Sequence, residues 1–95
     1  MPDEFQVILS NRAQSDLKSL PPNIRLRIMR RMKQLETEPF PRGRAIRRIA
    51  GMEGILRFRI GDYRVIYQIT GRQVEVLRVI HRRDLEKALS TLKSV

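Results

Sequence analysis

The chain contains no cysteine and no tryptophan, and it has a single histidine. Without cysteine there is no disulfide, no thiol nucleophile and no thiolate metal ligand. One histidine and 10 scattered carboxylates also argue against a dedicated metal site. The sequence therefore predicts a protein that uses neither a metal nor another cofactor.

Long hydrophobic segments are also missing, since no apolar run approaches the roughly 20 residues that a helix needs to span a bilayer. The N-terminal residues lack the basic and apolar regions of a signal peptide. These absences predict a cytoplasmic protein with no membrane partner. A length of 95 residues suits one hydrophobic core, so we expect residues 1–95 to form a single domain.

Basic residues are abundant, with 20 Lys and Arg against 10 Asp and Glu, which gives a formal net charge of +10. The segment 42–83 holds eleven arginines and three acids, and so contributes +8 of that charge. Arginine, which forms bidentate contacts with phosphate, supplies 16 of the 20 basic residues. Nucleic acid is therefore the favoured partner. On charge alone an acidic protein, a membrane surface or an ordinary solvated basic surface are the alternatives.

The segment 56–67 has the alternation of a half-buried β-hairpin. Apolar residues alternate with arginines around Gly61 and Asp62, which fit a two-residue type II′ turn. This register places Arg59 directly opposite Arg64. Because like charges at such positions destabilise a sheet, we interpret the pair as part of a site for an anion.

The segment before the hairpin predicts a short strand followed by two helices. Residues 5–9 are largely apolar, and Ser10 or Asn11 can cap the first helix. Pro22 suits the first turn of the second helix. Because the link between them is short, the two helices are expected to form an antiparallel hairpin.

A second turn at Gly71 predicts a further strand over 73–81, after which Asp84 can cap a short amphipathic helix. This strand would place Arg78 on the apolar face, a position that a β-bulge or a solvent-exposed sheet margin would explain. The opposite face is expected to carry Arg57, Arg59, Arg64, Leu77, Val79 and His81.

The run from Arg57 to Tyr67 and the run from His81 to Asp84 resemble the two hallmark segments of the RelE/ParE superfamily of toxins from type II toxin-antitoxin systems. The resemblance covers nearly the whole chain. It implies an α+β domain of order β-α-α-β-β-β-α, in which a helical hairpin packs on one face of an antiparallel sheet and a short helix ends the chain. RelE-like members are metal-independent messenger-RNA interferases that cut the codon in the ribosomal A site. Each is neutralised by a RelB-like antitoxin, with which it binds operator DNA.

The resemblance also implies site residues. Its basic positions correspond to Arg57, Arg59, Arg64 and Arg83, which would hold and stabilise the scissile phosphate. Arginine is a poor proton shuttle near neutral pH, so His81 is the candidate acid or base, with a strand-end hydrogen bond as the alternative role. The further nucleic-acid-binding candidates are Arg42, Arg44, Arg47, Arg48 and Arg82.

The final helix is expected to offer Leu85, Leu89 and Leu92 to the antitoxin. It departs from the family pattern, because Glu86 and Leu89 occupy the positions where many RelE-like toxins carry a tyrosine. Two alternatives to the interferase therefore stay open. One is a ParE-like, non-enzymatic inhibitor of DNA gyrase, and the other is a degenerate toxin that only binds antitoxin and operator DNA.

Overall fold

A computed structural model of the chain describes residues 4–93, so the first three and last two residues of the predicted domain lie outside the described part. The elements within it agree with the predicted α+β class. The strands are β1 (Gln6–Leu9), β2 (Ile46–Arg48), β3 (Ile55–Ile60), β4 (Tyr63–Thr70) and β5 (Gln73–His81). The helices are α1 (Asn11–Lys18), α2 (Pro22–Met32) and α3 (Leu85–Lys93), with 3₁₀ turns at Lys33–Glu36 and Arg82–Asp84. Among the helices of residues 4–93, none combines the length and hydropathy that a membrane crossing requires.

The strands form one sheet in the order β1-β5-β4-β3-β2. It differs from the predicted antiparallel sheet in two respects. The arginine-rich segment before β3 contributes the additional strand β2, which pairs with β3. Strand β1 runs parallel to β5, because it joins the sheet through the two helices rather than through a tight turn that would reverse the chain.

The predicted hairpin is confirmed, with Gly61 and Asp62 as the complete loop. Arg59 lies opposite Arg64, as the alternation indicated. Gly61 has a φ of 58°, and among the described residues positive φ is confined to glycine. This combination fits a type II′ turn, in which only the first central residue requires positive φ.

A β-bulge interrupts the pairing of β4 with β5. Ile66 pairs with Arg78, but its neighbour Tyr67 pairs with Val76, so Leu77 has no opposite residue. One extra residue on a strand reverses the alternation of every residue that follows it. The faces predicted for the end of β5 are therefore wrong.

The bulge moves Val79 and His81 away from the arginine face. Val79 lies opposite Val65 and is buried in the main core, and His81 lies opposite Tyr63. The rings of His81 and Tyr63 meet edge to face, with their centroids 5.3 Å apart. His81 consequently packs on the side of the helical hairpin.

The bulge that the position of Arg78 indicated is confirmed: it places Arg78 opposite Ile66, away from the main core, where an acid from α1 binds it. Both carboxylate oxygens of Asp16 accept from Arg78, from Nε at 2.9 Å and from Nη2 at 3.1 Å. The backbone N–H of Val79 also donates to Asp16, at 2.9 Å. This contact ties α1 to β5 immediately after the bulge and raises the pKa of Arg78 above its usual value, chiefly through the hydrogen bond to Asp16.

The predicted helical hairpin packs on the sheet and encloses the main core. Ser10 caps α1 by accepting a hydrogen bond from the backbone N–H of Ala13 at 3.1 Å. The buried faces contribute Leu17 from α1, and Ile28 and Met32 from α2. The helices therefore cover one face of the sheet with their apolar side chains and leave the opposite face uncovered by α1 and α2.

A second, smaller core lies on that opposite face, beneath α3. It consists of buried Ile66, Ile80 and Ala88 with partly buried Ile49, Ile55, Leu85, Leu89 and Leu92. The three leucines that we predicted as an antitoxin-binding strip therefore contact the protein's own sheet. Docking stabilises a helix that would be too short to persist alone in water.

Candidate functional site

Two cross-strand pairs place four arginines on one face of the sheet. Arg47 of β2 lies opposite Arg57 of β3, and Arg59 of β3 lies opposite Arg64 of β4. Directly opposed residues share a face, as do residues two apart on a strand. The four side chains therefore project from the same surface, beside the area that α3 covers.

These side chains line a pocket of about 350 Å³, here called the arginine pocket. Its lining is Arg44, Ala45, Arg47, Arg57, Arg59 and Arg64. Five guanidinium groups thus surround it, and none of the described residues in the lining is acidic. Such a lining is suited to phosphate groups, which guanidinium binds in a bidentate manner. Elsewhere in residues 4–93, no three His, Asp or Glu side chains form a group that could hold a metal ion.

Arg64 experiences the strongest electrostatic perturbation in this pocket. Partial burial lowers the pKa of Arg64, and the neighbouring charges of Arg59, Arg57 and Arg82 lower it further. Asp62 opposes this effect. Repulsion among the guanidinium groups costs folding free energy in the free protein, and a bound anion would remove that cost.

The 3₁₀ turn after β5 brings Arg82 to the tip of the β3-β4 hairpin. The backbone N–H of Arg82 donates to the carbonyl of Asp62 at 2.7 Å. Its side-chain Nε lies 3.7 Å from the Asp62 carboxylate, and both side chains are exposed. Arg82, which we predicted as a general nucleic-acid contact, is therefore the arginine of this turn that approaches Arg64.

His81 and Arg83, two of the five predicted catalytic residues, lie elsewhere. Both line a groove of about 450 Å³ between α1 and α3, together with Arg12 and Lys87. The Nδ1 atom of His81 accepts a hydrogen bond from the backbone N–H of Arg83 at 3.2 Å. The placement of His81 on the arginine face was wrong, because the bulge in β5 had no counterpart in the predicted register.

The predicted nucleic-acid-binding arginines are also divided. Arg44 and Arg47 line the arginine pocket. Arg42 instead forms an exposed ion pair with Glu38 at 2.9 Å. Arg48 follows Arg47 on β2, so it points to the other face and lines a separate hollow. The available signal was the run of buried Ile46 followed by Arg47 and Arg48, but three residues are too few to identify a strand.

Comparisons with known proteins identify the family. Residues 7–86 match the family described as ParE toxin of type II toxin-antitoxin system, parDE. The RelE1 protein of Methanocaldococcus jannaschii is 32% identical over 83 residues, which cover 85% of this chain and 92% of the relative.

Solved structures agree with this relationship. The toxin-antitoxin complex RelBE2 from Mycobacterium tuberculosis contains a chain that is 31% identical, with a TM-score of 0.71, covering 83% of this chain and 99% of that one. The archaeal RelE-RelB complex from Pyrococcus horikoshii OT3 contains a chain that is 28% identical, with a TM-score of 0.70, covering 83% and 96%. The chain therefore belongs to the RelE/ParE superfamily of toxins from type II toxin-antitoxin systems.

Proposed function

We propose that this toxin is a ribosome-dependent endoribonuclease that cleaves messenger RNA in the A site. The observation that supports this proposal is the arginine pocket, in which five guanidinium groups surround one cavity without a carboxylate in its lining. A solvated basic surface would not need its charges to face each other across strands. The proposed target would place the protein in the cytoplasm.

In the proposed reaction, the 2′-hydroxyl of the RNA attacks the adjacent phosphorus and loses its proton to solvent water. A new oxygen-phosphorus bond forms, the bond to the 5′-oxygen of the next nucleotide breaks, and that oxygen takes up a proton from solvent. Arg57, Arg59 and Arg64 would stabilise the negative charge that develops on the phosphate. Removal of one such preorganised donor lowers the rate of comparable reactions by about 100- to 1000-fold.

Solvent water is the proposed source of the proton for the leaving 5′-oxygen, because arginine is a poor proton shuttle near neutral pH. Partial burial and the charges of Arg59, Arg57 and Arg82 lower the pKa of Arg64, and a bound phosphate would relieve this repulsion. His81 has no part in this proposal, because it lines the groove between α1 and α3.

End-mapping of messages in a purified translation reaction tests the proposal. We expect the wild-type protein to produce cuts within codons at occupied A sites. Arg64→Ala should reduce cleavage by about 100-fold or more without unfolding the domain. Arg30→Ala, which removes an exposed charge from α2, is the matched control and should retain activity. Intact messages in the presence of folded wild-type protein would contradict the proposal.

Inhibition of DNA gyrase is the second candidate function. Two observations favour it: the matching family is described as ParE toxin, and the sequence has no Tyr, Phe or Trp after Tyr67 to stack on a target base. A supercoiling assay with purified gyrase distinguishes the candidates. Loss of supercoiling together with intact messages would replace the ribonuclease by this function.

We further propose a RelB-like antitoxin as partner, and operator DNA as a ligand of the joint complex. The solved relatives from M. tuberculosis and P. horikoshii are toxin-antitoxin complexes. Leu85, Leu89 and Leu92 cover only the small cluster around Ile66 and Ile80, so an amphipathic helix from the antitoxin could take their place. Co-expression with the neighbouring open reading frame should yield a complex, and recovery of free monomer would count against this partner.

A further inference from the structure

Three arginines reach the two residues at the tip of the β3-β4 hairpin, and one of them comes from a helix. A Cβ atom placed on Gly61 would lie 3.2 Å from Nη2 of Arg27, a residue of α2. On the same glycine, the carbonyl accepts a hydrogen bond from Nη1 of Arg64 at 3.1 Å. Arg82 approaches the next residue, Asp62, at 3.7 Å. Arginines from α2, β4 and the turn after β5 thus lie next to Gly61 and Asp62, the two residues of the hairpin loop.

The tip is a net positive surface that adjoins the arginine pocket. Three guanidinium groups outweigh the single carboxylate of the turn, Asp62, which is itself exposed and only loosely paired with Arg82. Arg64 belongs to both groups, because it lines the pocket and contacts Gly61. The positive surface therefore continues from the pocket over the end of the hairpin towards Arg27.

Gly61 permits this continuity. Its φ of 58° is required by the turn, but the missing side chain also leaves room for the guanidinium of Arg27. Arg27 is an exposed residue, so a ligand in solvent can reach it. An arginine on α2 that only supported the helix would not need to lie over the turn between two strands.

We propose that Arg27, together with Arg82, forms a second phosphate-binding subsite at the hairpin tip, which holds the RNA backbone next to the scissile phosphate. This inference rests on the proposed ribonuclease function. In it, Arg64 marks the reacting phosphate, and Arg27 and Arg82 bind a neighbouring phosphate as the strand passes over the end of the sheet. Arg27 is thus a substrate-binding residue contributed by the helical hairpin.

The test measures binding of a short single-stranded RNA that carries 2′-deoxyribose at every position next to a candidate scissile phosphate, over a range of salt concentrations. Each phosphate contact to a single strand contributes about 0.7 to the slope of log affinity against log salt. We expect Arg27→Gln to lower this slope by about 0.7, which corresponds to about fivefold weaker binding at about 0.1 M salt. Arg27→Lys keeps the charge and should keep the slope.

Matched variants separate the possible outcomes. Arg30→Gln removes one charge from the same helix, and Arg12→Gln removes one charge from the groove between α1 and α3. Each should change the slope by much less than the roughly 0.7 that one phosphate contact contributes. If Arg27→Gln matches Arg30→Gln, or if only its unfolding midpoint changes, Arg27 merely supports the turn and the inference is wrong. An effect confined to Arg12→Gln would assign the second subsite to the other groove.

The same measurement distinguishes this inference from the function on which it rests. If Arg64→Gln lowers the slope and Arg27→Gln does not, the arginine pocket binds phosphate as proposed, and the proposed second subsite of Arg27 and Arg82 is wrong. If neither variant lowers the slope, neither guanidinium binds a phosphate of the RNA, and both proposals are overturned. A loss with Arg27→Gln alone would support phosphate binding at the tip and contradict the proposed role of Arg64.

Discussion

The cross-strand pair of Arg59 and Arg64 should destabilise the free protein, and replacing Arg59 by glutamine should therefore stabilise it. Arg59 is exposed and directly opposite Arg64, so its charge can be removed with little change in packing. Arg64 is less suitable for this test, because its Nη1 atom donates to the carbonyls of Tyr63 at 2.9 Å and Gly61 at 3.1 Å. Those bonds would be lost together with the charge.

The expected gain follows from the geometry of the pair. Directly opposed side chains on neighbouring strands interact by roughly 0.2 to 1 kcal/mol. In a domain of this size, 1 kcal/mol shifts the unfolding midpoint by about 4–8 °C. Arg59→Gln should consequently raise the midpoint by about 1–8 °C at low ionic strength, and the gain should decrease as salt screens the charges.

Thermal unfolding at several salt concentrations, followed by circular dichroism, measures this effect. Arg30→Gln on α2 causes the same change in net charge, so the excess of Arg59→Gln over this control is the local contribution. A double-mutant cycle with Arg64→Gln isolates the interaction of the pair. Inorganic sulfate should stabilise the wild-type protein more than Arg59→Gln, because an anion that binds only the folded state adds RT ln(1 + [L]/Kd) to its stability.

Two results would refute the reasoning. If Arg59→Gln is no more stable than Arg30→Gln at low salt, the opposed arginines do not repel each other measurably. If sulfate stabilises both proteins equally, the arginine pocket is not an anion site. Either result would remove the electrostatic basis of the proposed function.

Three further substitutions test the contacts that position the site. Asp16→Ala should cost about 3 kcal/mol in urea unfolding, because Arg78 loses a charged hydrogen-bond partner in a partly buried position; a loss below about 0.5 kcal/mol would mean that the contact contributes little. Tyr67→Phe should cost about 1–3 kcal/mol, since the buried hydroxyl donates to the carbonyl of Pro39 at 2.7 Å; unchanged stability would show that this carbonyl finds another donor. Gly61→Ala should cost about 1–2 kcal/mol, because the φ of 58° disfavours a side chain, and a neutral result would imply that the turn can rearrange.

The arginine pocket could be predicted in outline because its main signals are local. Alternation of side chains places Arg57 and Arg59 on one face, and a glycine at the turn sets the register opposite Arg64. Period-2 alternation and turn chemistry act over a few residues, so they are visible without knowledge of the fold. The family resemblance depended on the same residues.

The contribution of β2 could not be predicted in this way. Arg44 and Arg47 enter the pocket because a three-residue strand pairs with β3, and its alternation is too short to be recognised. Likewise, the amphipathic pattern of α3 predicted a helix but did not indicate which surface it would cover. That choice depends on the apolar patch around Ile66 and Ile80, which exists only after the sheet has formed.

The position of His81 is decided by tertiary structure. Asp16, 62 residues before Arg78, binds that side chain and the next backbone N–H, and the adjacent bulge turns His81 away from the arginines. The misplaced Arg78 of the regular register was the one local sign of the bulge, but it did not locate the inserted residue, because the contacts that hold the bulge come from another part of the chain. The sequence by itself thus determined the class of fold, the hairpin and its opposed arginines, whose causes are local. Only the tertiary structure decided which further residues join them, because long-range contacts set the bulge, the additional strand and the docking of the final helix.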